Sequence, residues 1–141
     1  MTLSNEQLQV DEVVAALRQR GGCTLVHIDS GHEVDLYNGS GEDARPWVVR
    51  YSMQEIPDKP LLTQALSLGL ELRDPCPGSG VRRYELYRHV MGITAVAIKA
   101  LALTRMLPGV PANAWLWVTD GEYDQRGEPP EPPSPWPPAG T

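Results

Sequence analysis

Apolar side chains at Val10, Val13, Val14 and Leu17 recur at i, i+3, i+4 and i+7, which lines them along one stripe of a helix over residues 4–20. Ser4 with Gln7 supplies a capping box, and Glu6 sits where the helix dipole favours an anion. Arg18 and Arg20 fall in the last turn, and Gly21-Gly22 stops the helix. The pattern then switches to strict alternation. Residues 23–29 and 33–37 alternate around Ser30-Gly31-His32, which reads as a hairpin with a three-residue loop. That loop pairs Ile28 with Val34 and Val26 with Leu36 on one face, leaving His27, Asp29, Glu33 and Asp35 on the other. After the turn-rich stretch Asn38–Asp43, Trp47, Val49, Tyr51 and Met53 alternate with Arg50 and Ser52. This third strand completes an antiparallel meander.

Asp58 predicts a helix cap, with Pro60 in the first turn and Leu61, Leu62, Ala65 and Leu66 forming the buried side. Leu70–Arg73 and Val81–Arg88 flank the breaker cluster Asp74–Gly80 and predict a second hairpin, with Tyr84 and Leu86 opposite Arg83 and Glu85. Residues 90–107 are apolar around nearly the whole circumference, the mark of a buried or interface helix. A membrane span is disfavoured there, because Lys99 near its centre would cost roughly 2.5–3.5 kcal/mol on insertion. Ala112–Thr119 places Trp115 and Trp117 on one side and Leu116 and Val118 on the other, which reads as a final strand.

The expected fold is therefore α+β, in the order α-β-β-β-α-β-β-α-β. Its antiparallel sheet consists of a three-strand meander plus a second hairpin, packed with about three helices. Residues 1–121 form one domain, and residues 122–141 an acidic proline-rich tail expected to be disordered or polyproline II. In order and size, the elements over residues 4–107 resemble the small acidic chaperones of type III secretion systems. That resemblance implies a dimeric module that binds another protein.

Charge narrows the choice of partner. The formal charge is −6, but residues 120–141 carry five acids (Asp120, Glu122, Asp124, Glu128, Glu131) against Arg126. The body keeps 13 acids against 11 bases, too near neutrality to suggest a nucleic-acid mimic or a phosphate binder. Seven of the fourteen prolines lie in Glu128–Thr141, where Arg126 stands three positions before a PxxP; a solubilising or spacer role is expected. Cys23 and Cys76 match neither a disulfide framework nor a zinc motif, and the N-terminal residues carry no leader pattern. Two free thiols in the cytoplasm are the plainer expectation.

The densest titratable cluster is His27, Asp29, His32, Glu33 and Asp35. In the expected register His27 faces Asp35 and Asp29 faces Glu33, and a divalent cation would relieve the opposed carboxylates. Solvated charges on an exposed hairpin are the blander alternative, and no metal or other cofactor is expected. Nucleophile-elbow, dinucleotide and P-loop patterns are absent. Arg82, Arg83 and Arg88 with Tyr84 and Tyr87 sketch a surface for single-stranded nucleic acid. Arg82 and Arg83, however, fall on different faces of one strand. By elimination, the sequence favours a non-enzymatic protein-binding domain: an adaptor, dedicated chaperone or regulator, with self-association through residues 90–107. Its expected partner contacts are Trp115, Trp117, Arg82 and Arg83. The alternatives are a small metal-dependent or hydrolytic enzyme using the first hairpin, and a nucleic-acid binder.

Overall fold

The computed structural model describes residues 5–38, 46–74 and 84–119. The elements follow the expected order: α1 (Asn5–Arg20), β1 (Gly22–His27), β2 (His32–Tyr37), β3 (Trp47–Met53), α2 (Lys59–Ser67), β4 (Glu71–Arg73), β5 (Tyr84–Val90), α3 (Ile93–Met106) and β6 (Trp117–Thr119). The strands form one antiparallel sheet in the order β4-β5-β3-β2-β1-β6. The meander is central, β5 joins it beside β3 with β4 outside, and β6 returns from the end of α3 to pair with β1.

Local chemistry explains the boundaries. Helix α1 stops because Gly21 adopts a φ of 73°, letting its N–H return to the Leu17 carbonyl at 2.9 Å. The Asp58 side chain accepts from the Leu61 N–H at 3.0 Å and caps α2, with proline in its first turn. Ser4, Cys76, Arg82, Arg83 and the tail lie outside the described residues, so the capping-box and tail expectations do too.

The core is one-sided. Leu25, Val34, Leu36, Trp47, Val49 and Leu86 share the sheet face against which α1 and α3 pack, and Leu116 joins the same cluster. Ile93, Val96, Ala97, Ala100, Leu101 and Leu103 are the buried side of α3, so this helix is central to the core as its composition requires. It is not apolar to solvent on every side by accident of length, however. Met91 and Ile98 remain 58% and 52% exposed, and Ala95 lies exposed between them.

The first hairpin differs from the expected register. Its turn spans the four residues Ile28–Gly31, with the Gly31 N–H closing on the His27 carbonyl at 2.8 Å. His27 therefore pairs with His32, Val26 with Glu33, Leu25 with Val34, and Cys23 with Leu36. The pairing is displaced by three positions along β1, and any odd displacement exchanges the faces of a strand. Cys23 and Leu25, rather than Val26 and Ile28, share the core face with Val34 and Leu36. The displacement was hidden because β1 is buried from Cys23 to His27 on both faces, so the alternation of its sequence does not mark a solvent-facing side.

Candidate functional site: an aromatic cleft at the sheet edge

The path from α3 to β6 is fixed by polar side chains. Gln9, fully buried on α1, donates from Nε2 to the Leu116 carbonyl at 3.2 Å and accepts the Leu116 N–H on Oε1 at 2.9 Å. Its side-chain amide thus imitates a rung of a β-ladder. Arg105 reinforces it, donating to Gln9 Oε1 and to the Ala114 carbonyl, both at 3.4 Å, while pairing with Glu6. On the other side of the connection, His32 holds the Pro108 carbonyl at 2.8 Å through Nε2. A carbonyl can only accept, so Nε2 carries the proton, and in the neutral ring Nδ1 accepts from the Tyr51 hydroxyl at 3.0 Å.

This clamp presents Trp115 and Trp117. Leu116 points into the core with no exposed surface, and alternation turns the two half-buried indoles the other way. Trp117 lies on β6 opposite Val26, at the sheet edge, and Trp115 precedes the strand. Together with Pro111 and Ala114 they wall a cleft of about 380 Å³, closed opposite by His27, Ile28 and Asp29 of the first hairpin. The walls are largely apolar, and Asp29 brings the one carboxylate. Two features noted separately along the chain, the tryptophan pair and the end of the titratable hairpin, meet in one site.

The rest of the hairpin cluster disperses. Glu33 and Asp35 lie on the face away from the helices, opposite Val26 and Thr24, whereas His27 follows Leu25 on the other face. The expected juxtapositions of His27 with Asp35 and of Asp29 with Glu33 do not occur. Among the described residues, no group of three His, Cys, Asp or Glu side chains could hold a metal ion. Ser30 Oγ lies 2.7 Å from His27 Nδ1, a nucleophile–base distance. The same Nδ1 also accepts the backbone N–H of Ser30 at 3.3 Å, so this contact helps to close the turn.

Asp35 belongs to a different arrangement. On the face away from the helices, Thr24, Asp35, Arg50, Tyr87 and Glu71 form one cross-strand row. Arg50 joins Asp35 at 3.1 Å to Glu85 at 3.6 Å, and Arg73 meets Glu85 at 2.9 Å while stacking 3.8 Å from the centre of the Tyr87 ring. The hydrogen bond from Arg73 to Glu85 favours the charged guanidinium and pushes its pKa up. Arg50, Tyr37, Thr24 and Asp35 line a second cleft of about 420 Å³ with Arg20. Of its two arginines, Arg50 is committed to this row through Asp35 and Glu85. Of the basic residues proposed for nucleic acid, Arg88 is described, and it donates to the Gly69 carbonyl at 2.9 Å.

Cys23 is a buried, free thiol whose pKa is pushed up to about 12 by desolvation, so it is inert rather than nucleophilic. Among the described residues, no helix is long and apolar enough to cross a membrane. Comparison of the chain with protein-family models, curated proteins and solved structures finds no match. The resemblance to type III secretion chaperones thus rests on the order of elements alone. Sequence reasoning missed Gln9 as the residue that positions the tryptophans. Its one signal is a polar residue beside Val10, Val13 and Leu17 on the buried side of α1.

Proposed function

We propose that this chain is a non-enzymatic protein-binding domain, an adaptor, dedicated chaperone or regulator, that receives a segment of its partner in the Trp115–Trp117 cleft. The carrying observation is a rigidly supported pair of half-buried indoles that line a mostly apolar cleft at a sheet edge. Tryptophan is the residue most enriched at binding hot spots, and indoles held by a fixed backbone lose little entropy on contact. The proposal includes a cytoplasmic setting, which suits a free buried thiol, and self-association through the exposed Ala95 and Ile98 of α3 with Met91 just before it. Affinity capture from the source cell, with the full chain and with Trp115→Ala/Trp117→Ala compared by mass spectrometry, tests the reading. A partner retained by the folded double variant at an undiminished level would contradict it.

A second reading has one observation in its favour. The 2.7 Å contact between Ser30 Oγ and His27 Nδ1 would suit a hydrolase with a serine nucleophile. A fluorophosphonate probe distinguishes the two: labelling confined to Ser30, and lost in His27→Gln, would establish the enzyme. An unlabelled protein would leave the contact as a turn closure.

A further inference from the structure

The chain carries a candidate ligand for its own cleft. We propose that residues 132–138, Pro-Pro-Ser-Pro-Trp-Pro-Pro, dock within the same chain onto the cleft walled by Trp115, Trp117 and Pro111. This deepens the reading above and rests on it, since it names an occupant for the same site.

Three observations select this segment. The first is chemical: the cleft is lined by two indoles with Pro111 and Ala114 beside them. Proline-rich segments dock in aromatic-lined grooves because their extended helix is preformed and loses little entropy on binding. The second is charge. Asp29 stands on the cleft wall, so an acidic ligand is repelled. Within the acidic tail, residues 132–138 hold no charged side chain, whereas Glu128 and Glu131 lie just before them. The third is connectivity. The described chain ends at Thr119, two positions beyond Trp117, on the strand that builds the cleft. Twelve residues lie between Thr119 and Pro132, and fully extended this stretch spans up to about 45 Å, ample for a return to the adjacent cleft. A tether of that length holds the segment at an effective concentration on the order of millimolar, so even a weak site is filled.

Occupancy from within the chain makes the tail a competitor for the partner. Partner affinity then falls in proportion to the fraction of chains whose cleft is open. Replacement of the tail prolines would strengthen partner binding by the inverse of that fraction.

The test uses the full chain labelled with 5-fluorotryptophan and read by fluorine NMR, with signals assigned through single Trp→Phe variants. It is compared with a full-length variant carrying Pro132→Ala, Pro133→Ala, Pro135→Ala, Trp136→Ala, Pro137→Ala and Pro138→Ala. Docking predicts that the Trp115 and Trp117 signals move in the variant, that Trp47 in the core does not, and that a free peptide of residues 131–139 restores the shifts. Coincident Trp115 and Trp117 signals in the two proteins would overturn the proposal. So would shifts that revert on dilution, which would place the tail of a second copy in the cleft. Either failure leaves capture through Trp115 and Trp117 intact as an independent result, so the docking and the binding function fail separately.

Discussion

Substitution of Gln9 by Met keeps the length and apolar stem of the side chain and deletes its donor and acceptor. The native amide is fully buried, as is Leu116, whose backbone N–H and C=O it serves at 2.9 and 3.2 Å. In the variant, water cannot easily replace either contact. Stranding a buried backbone group costs about 1–3 kcal/mol. The N–H has no second bonding option and should bear the larger penalty, while the carbonyl bond is longer and weaker. Arg105 loses only a 3.4 Å contact and keeps Glu6 and the Ala114 carbonyl. The expected destabilisation is therefore about 2–4 kcal/mol, a large share of the roughly 5–15 kcal/mol that holds a domain together. Urea unfolding followed by circular dichroism should show the midpoint fall with an unchanged slope. A loss of less than about 0.5 kcal/mol would refute the role of Gln9 as the clamp on the tryptophan segment.

Other expectations follow from the same contacts. Burial raises the Cys23 pKa from 9.0 to about 12, so the folded state favours the thiol. The stability this contributes is complete below pH 9 and is lost as pH rises toward 12, by about 1.4 kcal/mol per unit; Cys23→Ala should flatten that decline, and identical slopes would contradict it. Glu85→Gln removes a 2%-exposed carboxylate from between Arg50 and Arg73, whose side chains are 28% and 40% exposed. Because both guanidiniums reach water, the cost in urea unfolding should be about 1–2 kcal/mol rather than that of a fully buried pair. Light scattering should show self-association at high micromolar concentration, abolished by Ile98→Asp on the exposed side of α3; a monomeric parent protein would contradict the dimer.

Much of the architecture was legible because it is written locally. The Val10, Val13, Leu17 stripe, the Asp58 cap and the Tyr84–Leu86 alternation each depend on neighbours a few positions away, and each element lies where those patterns put it. The register of the first hairpin was not legible. Val26 and Ile28 alternate with Leu25 and His27 as convincingly on one face as on the other, and β1 is buried from both sides with Thr24 and His27 included, so its polar residues mark no solvent face. The candidate site lay beyond local pattern for a different reason. Trp117 meets the hairpin only because β6 crosses back to pair with β1, a contact between segments almost a hundred residues apart. Glu85 and Arg73 likewise read as an ordinary alternating surface, and only the β3–β5–β4 register converts them, with Arg50, into a connected charge row.

The most direct test of the binding site is photo-crosslinking in the source cell, with a photoreactive residue placed at Ile28 inside the cleft or at exposed Gln64 on α2. Cleft recognition predicts an adduct with a distinct second protein from position 28, lost when Trp115→Ala and Trp117→Ala are added, and absent from position 64. Equal yields of the same adduct from both positions, or an Ile28 adduct indifferent to the loss of both tryptophans, would contradict it.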